Sequence, residues 1–263
     1  MSRSPAAVEP FPHFLARLEA VPADPGDKGP AAHPPAETPP WLTQVVAALF
    51  EGQEPAVSKD WARRVHGELE RLGGQVPFTV VHDWHARVVV PMLAEASARD
   101  GADTGPQRAV RLLHAKALAG ERIEEARWTA ALGPVVRDAY RLAYAYADAF
   151  ATAYAGAHAY ATANGFDESA AVEYADTYAT MNTGANVESY ADANALANAK
   201  AMARAYASGD ARAYAGTYPF AQVRVCAHAH ADQRQAAGRS ERRRAAYERL
   251  ADGLAESLAR AAA

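Results

Sequence analysis

Between Ala143 and Asn164 the chain reads AYAYADAFATAYAGAHAYATAN, with alanine at every odd position. Alternation with period two is the mark of a half-buried strand. A strand of that length would span about 70 Å, whereas strands usually run to ten residues or fewer. The aromatic positions keep a different period. At 100° per residue, Tyr140, Tyr144, Phe150, Tyr154 and His158 gather within an arc of about 120° on a helix, while Asp148 and Thr152 fall outside it. This spacing predicts a helix from Val135 to Ala163, closed by Asn164-Gly165.

The same test predicts helices elsewhere. WLTQVVAALF (41–50) reads as a short helix stopped near Gly52 and Pro55. SKDWARRVHGELERLGG (58–74) has Ser58 as N-cap, an end at Gly73, and one apolar stripe of Trp61, Val65, Leu69 and Leu72. The stretch 76–98 is rich in β-branched residues, yet its length and its Leu-Ala end favour a helix, kinked at Pro91. Residues 105–119 begin with proline in the first turn and end at Gly120. Residues 121–132 form a helix stopped by Gly133-Pro134. Asp167 is a candidate N-cap for a helix faced by Tyr174, Tyr178 and Met181. MNTGAN (181–186) reads as a turn, followed by a helix from Val187 to Ala207. On that helix Leu196, Met202 and Tyr206 share an arc that also contains Asp192. SGD (208–210) breaks it. The segment 219–232 favours helix because of its alanines. The last helix has Ser240 as N-cap and a stripe of Tyr247, Leu250, Leu254 and Leu258. The tripeptide YAD recurs at Tyr146, Tyr174 and Tyr190, but unequal spacings exclude a solenoid period. The expected fold class is all-α, a multi-helix bundle or helical stack.

Composition divides the chain further. Ten of the 16 prolines precede Trp41, so residues 1–40 are expected to form a disordered Pro-rich tail. Within it, FPHFLARLEAV offers one or two apolar turns able to dock on the body. Residues 41–133 form a short-helix part holding all four tryptophans. Residues 134–263 form an alanine- and tyrosine-rich part with long helices. The two parts are expected to pack as one unit.

A net charge of −4 argues against a general nucleic-acid binder. The single cysteine, Cys226, excludes an internal disulfide framework and fits a reducing compartment. No apolar run approaches the roughly 18 residues of a membrane span, and MSRSPAAVEPFPHF lacks an apolar leader. A cytoplasmic protein with no membrane partner is expected.

Candidate chemistry is sparse. His82 and His85 in VVHDWHARV share a helix face and supply two potential metal ligands; His66, His114 and His158 are available as others. Cys226, His228, His230 and Asp232 would all point one way if extended, whereas on a helix only Cys226/His230 and His228/Asp232 pair. Ordinary structural histidines are the competing explanation for both. Asp192 on an apolar arc would have a raised pKa if buried and could then act as general acid or base; a hydrogen-bonded structural aspartate is the competing explanation. Arg239, Arg242, Arg243 and Arg244 form a basic cluster at a helix start, where the dipole prefers anions; it could grip a phosphate or an acidic partner, or simply be a solvated face. No phosphate loop, dinucleotide fingerprint, nucleophile elbow or H-E-x-x-H motif is present. The expectation is a non-enzymatic protein that binds another protein, or itself, through Tyr144, Phe150, Tyr154, His158 and Asp192, with no cofactor. Two alternatives stay open: a small aromatic ligand in a tyrosine-lined pocket, and a metal-dependent enzyme built on the histidine pairs.

Overall fold

The computed structural model describes residues 8–20, 38–143, 146–231 and 238–262. They form α1 (Phe11–Glu19), α2 (Pro40–Gly52), α3 (Pro55–Arg71), α4 (Thr79–Trp84), a π-helical turn (His85–Val89), α5 (Val90–Arg99), α6 (Gly105–Leu118), α7 (Glu125–Ala143), α8 (Tyr146–Ala163), α9 (Glu168–Ser208), α10 (Ala211–Ala215), α11 (Pro219–His230) and α12 (Arg239–Arg260). No strand occurs among the described residues. The all-α expectation holds, including helix over 79–99 and 219–230.

Proline marks half of the α-helix starts. It occupies the first or second position of α1, α2, α3, α5, α6 and α11, where its missing N–H costs no intrahelical bond. Helix α3 therefore starts at Pro55, and Ser58 is not its N-cap; the Ser58 hydroxyl donates to the Pro55 carbonyl at 3.2 Å. Likewise Gly238, at φ 69°, caps α12, and Ser240 lies inside the helix. Of the expected Pro-rich tail, residues 1–7 and 21–37 lie outside the described residues. The part between them docks: Phe14 and Leu18 of α1 are buried against α2 and α3.

Two expected breaks do not occur. Helix α7 runs through Gly133-Pro134. Pro134 and Ala130 are both exposed, so the carbonyl that proline leaves unpaired faces water, while Leu132, Val135 and Val136 keep the buried register on either side. The helix expected over 135–163 corresponds to the end of α7 and all of α8, and residues 144 and 145 between them lie outside the described residues. Helix α9 runs unbroken for 41 residues, about 60 Å. MNTGAN is part of it, with the buried Thr183 hydroxyl donating to the Ala179 carbonyl at 2.7 Å. Asp167 does cap α9, accepting from the Ala170 N–H at 2.9 Å, and Gly209 at φ 63° ends it.

The body gathers α2 to α7, α10 to α12 and the C-terminal part of α9. Tryptophans hold α12 in it: the Trp61 and Trp84 indoles donate to the Ala251 and Leu250 carbonyls at 2.8 and 3.0 Å. The contacts are close. A methyl added at Gly253 would lie 2.3 Å from Val88, and one at Gly52 would lie 2.2 Å from the Tyr247 ring.

The other region is an arm made by α8 and the N-terminal half of α9. Among the described residues, helix α8 has α9 as its one substantial packing partner. Their seam is almost all alanine. Ala149, Ala157 and Ala161 are buried on α8; Ala171, Ala175, Ala179, Thr183, Val187, Ala191, Ala195, Ala199 and Ala203 are buried on α9. Every step on α9 is four residues. The period-two alternation thus contains a period-four stripe: Ala151, Ala155 and Ala159, the alanines between, are exposed. Four residues advance about 40° beyond one full helical turn. The stripe therefore winds round α9, which packs with both α8 and α7.

Candidate functional site

Five elements and the π turn converge on one buried aromatic cluster. Pro91 cannot donate a backbone N–H, and just ahead of it the chain takes a π turn in which the Val90 N–H reaches back to the His85 carbonyl. Such turns concentrate at functional sites. This one sets His85 beside His82 of α4, His114 of α6, Trp128 of α7, Tyr206 of α9 and Tyr214 of α10. The His85 and His114 rings stack at 5.0 Å, His82 stacks on Trp128 at 5.9 Å, and Tyr206 packs edge-on to His114 at 4.9 Å.

Hydrogen bonds fix part of the protonation pattern. The Val81 carbonyl accepts from His85 Nδ1 at 2.9 Å. His85 Nε2 is then the acceptor for the Tyr206 hydroxyl at 3.1 Å, with the Tyr214 hydroxyl 3.5 Å away. His82 Nδ1 and His114 Nδ1 lie 3.0 Å apart, one supplying the proton. His114 Nε2 is buried without a hydrogen-bond partner. Burial holds His82 and His85 at about 4, the charge of His85 adding to the effect on His82. Burial takes His114 well below its ordinary value and pushes both tyrosines up. At neutral pH all five groups are uncharged.

A cavity of about 60 Å³ opens beside this cluster. Trp84, Val110, His114, Leu132, Met202 and Gln222 are among its walls, and no charged side chain lines it. The Gln222 side-chain oxygen there is also buried without a partner.

His82 and His85 do come together, but with His114 rather than with an acid. Cys226 faces the core, its thiol pushed up to about 12 by burial and 3.9 Å from the Val89 carbonyl. His230 points to the surface, 3.0 Å from Glu95, and Arg249 holds that carboxyl down at about 2. His228 lines a separate polar pocket of about 380 Å³ with Arg224, Arg243, Arg244 and Tyr247. Two of its cations already have partners, Arg224 on Glu51 and Arg244 on Glu54. Arg242 turns away and donates to the Ala231 carbonyl at 2.9 Å. Asp232 lies outside the described residues. Among the described residues no group of three or more His, Cys, Asp or Glu side chains is arranged to hold a metal ion.

The expected partner-binding residues divide. Tyr144 lies outside the described residues. Phe150, Tyr154 and His158 are half-buried and stack in sequence at 6.3 and 6.0 Å along α8. Asp192 corrects the expectation of a buried carboxylate: it is exposed and ion-paired with Arg137, which also holds Glu188 at 2.6 Å. Leu196, expected to face inward, is 80% exposed because Ala195 and Ala199 take the seam. The sequence pattern does not single out Trp128, Tyr206 or Tyr214 as site residues. The available signal was His114 standing on the apolar stripe of Val110 and Leu113.

No protein-family model, curated protein or solved structure matches this chain. No described helix is long and apolar enough to cross a membrane.

Proposed function

We propose that this is a non-enzymatic helical interaction protein, in which the body is a rigid support and the α8–α9 arm grips another protein. One observation carries the reading. The arm spends alanine on its own seam and turns large side chains outward: Tyr160, Phe166, Val172, Tyr178 and Met181 are all exposed. Tyr160, Tyr174 and Tyr178 form a stacked row with spacings of 6.1 and 6.2 Å, and Phe166 packs beside Tyr174 at 5.8 Å. Tyrosine and methionine are favoured at the centres of protein interfaces.

Charge narrows the partner. Residues 146–187 contain five acidic residues and no Lys or Arg. Asp167, Glu168, Glu173 and Asp176, near the tip, are exposed. Aromatic rings interleaved with carboxylates suit a basic, arginine-bearing protein surface, which supplies both ion pairs and cation–π contacts. A photoreactive residue in place of Tyr178, compared with one in place of Arg63, tests this in the native cell. The expected result is a salt-sensitive cross-link to a basic protein from position 178 alone. A cross-link to a second copy would replace the partner with self-association. No cross-link from position 178, together with a monomeric mass at tens of micromolar, would overturn the reading.

A further inference from the structure

The polar pocket of about 380 Å³ lies where α11 and α12 pack on each other and on the end of α2. Small-molecule sites run from roughly 300 to 1,000 Å³. Helix α12 supplies Ser240, Arg243, Arg244 and Tyr247 to its wall, a spacing of three and four that keeps one helix face. Helix α11 adds Arg224, and α2 adds Glu51 and Gly52. The charges do not cancel. Arg224 is paired with Glu51 at 2.7 Å and Arg244 with Glu54, whereas the half-buried Arg243 has no ion-pair partner among the described residues.

Tyr247 is an independent pointer to a ligand. Its side chain is deeply buried, with the residue 6% exposed. The ring lies over Gly52, where an added methyl would be 2.2 Å away, so the end of α2 fixes it. Buried tyrosine hydroxyls normally find a partner, yet this one has none among the described residues. Nor is it one of the unpartnered atoms sealed from solvent. The oxygen therefore reaches open space, and the space that Tyr247 lines is this pocket. Burial raises its pKa, Arg224 and Arg243 oppose that rise, and Glu51 adds to it, so the hydroxyl sits among charges of the same wall.

We infer that this pocket binds a small phosphomonoester. Arg243 offers a planar fork of N–H donors with an uncompensated charge, and the Tyr247 and Ser240 hydroxyls add donors from the same helix face. A phosphomonoester brings three acceptor oxygens and about 1.5 to 2 negative charges at pH 7. A carboxylate brings two oxygens and one charge, and leaves donors unused. The first turn of α12 has no side-chain cap, so its N–H groups favour the same anion. The Arg224 side chain is 37% exposed, and exchanging its surface pair with Glu51 for the ligand costs little. The pocket belongs to the body and is independent of the arm.

The probe is methyl phosphate, its binding to the intact protein read from the width of its phosphorus resonance. Methyl sulfate, of similar shape but one charge, and acetate serve as competitors at matched ionic strength. The expected result is saturable binding of methyl phosphate, about tenfold tighter than either competitor. Arg243→Gln should weaken it about tenfold. Since Arg243 holds no ion pair, that variant should keep the wild-type melting temperature. Tyr247→Phe keeps the buried ring and should weaken binding about threefold or more through the lost hydroxyl alone. Arg127→Gln removes an exposed arginine that does not line the pocket, and should change nothing. Four results would overturn the inference: no saturable binding of methyl phosphate, competitors binding as tightly, undiminished binding in Arg243→Gln, or an equal loss in Arg127→Gln, which would mean general charge attraction.

Discussion

The body and the arm solve helix packing with opposite materials. In the body Trp41, Trp61 and Trp128 are wholly buried and Trp84 is 2% exposed. In the arm the seam is alanine, and the large rings face out. A tryptophan buries 150–250 Å², while an alanine methyl contributes about 0.8 kcal/mol. The body therefore has a deep core able to carry an uncharged histidine cluster and a cavity. The arm has close backbone approach and helix propensity, with little core beneath it. Helix α9 belongs to both: Ala175 and Ala179 lie in the arm, whereas Met202 and Tyr206 join the main core. Alanine alternation thus builds a thin, wide surface, and stability comes from elsewhere along the same helix.

Acid should separate the two regions most strongly. His82 and His85 are held at about 4 by burial, against an ordinary 6.5. Between those values the unfolded chain binds protons that the folded chain refuses. The stabilisation from keeping them neutral is complete above about pH 6.5, is lost as pH falls towards 4, and does not change further below that. The loss should be on the order of 5 kcal/mol for the two together. Glu95, held at about 2 by Arg249, acts in a lower window, between its ordinary 4.5 and 2. Tryptophan emission reports the body alone, since the arm contains no tryptophan. Urea titrations followed by emission at pH 7 and pH 4.5 should show the loss; equal midpoints would mean that the histidines are not kept neutral.

Next in size is Trp61→Ala. It removes a fully buried ring and its hydrogen bond to the Ala251 carbonyl. Denaturation followed by circular dichroism should show about 3–5 kcal/mol of destabilisation. The same technique applied to Tyr178→Ala in the arm should show a change within about 0.5 kcal/mol, since that ring is already 43% exposed. A large loss from Tyr178→Ala would erase the distinction between the regions.

Much of this was legible in the sequence, for particular reasons. The stripe of Trp61, Val65, Leu69 and Leu72 and that of Tyr247, Leu250, Leu254 and Leu258 have no rival set of large apolar residues on their helices, so they mark the core directly. The Asp167 cap and the Gly165 and Gly209 ends follow from local backbone chemistry. The seam of the arm is harder to read, because two residue sets on α8 and α9 both keep helical spacing. Hydrophobicity favours the aromatic set, but the facing helix at close range accepts only the alanine set. The histidine cluster was illegible as a unit, because His82, His85, His114, Tyr206 and Tyr214 come from five separate elements. Their meeting depends on the π turn before Pro91 and on the uninterrupted run of α9, neither of which has a local sequence signal.

A glycine-to-alanine change can be compared in the two regions. In the body, Gly253→Ala places a methyl 2.3 Å from Val88, and it should cost about 1–3 kcal/mol through overpacking. In the arm, Gly184 is exposed, and an added methyl there would meet nothing within 4 Å. Glycine inside a helix costs roughly 0.5–1 kcal/mol relative to alanine because it gives up more freedom on folding. Gly184→Ala should therefore stabilise α9 by about that amount, seen as slower amide exchange at residues 180–188. The same change also tests the continuity of the helix. If MNTGAN turned as its composition suggests, Gly184 would be the residue placed to take a positive φ, and alanine there would be strained. Faster exchange in Gly184→Ala would mean that α9 breaks in its middle; slower exchange would mean that body and arm share one unbroken helix.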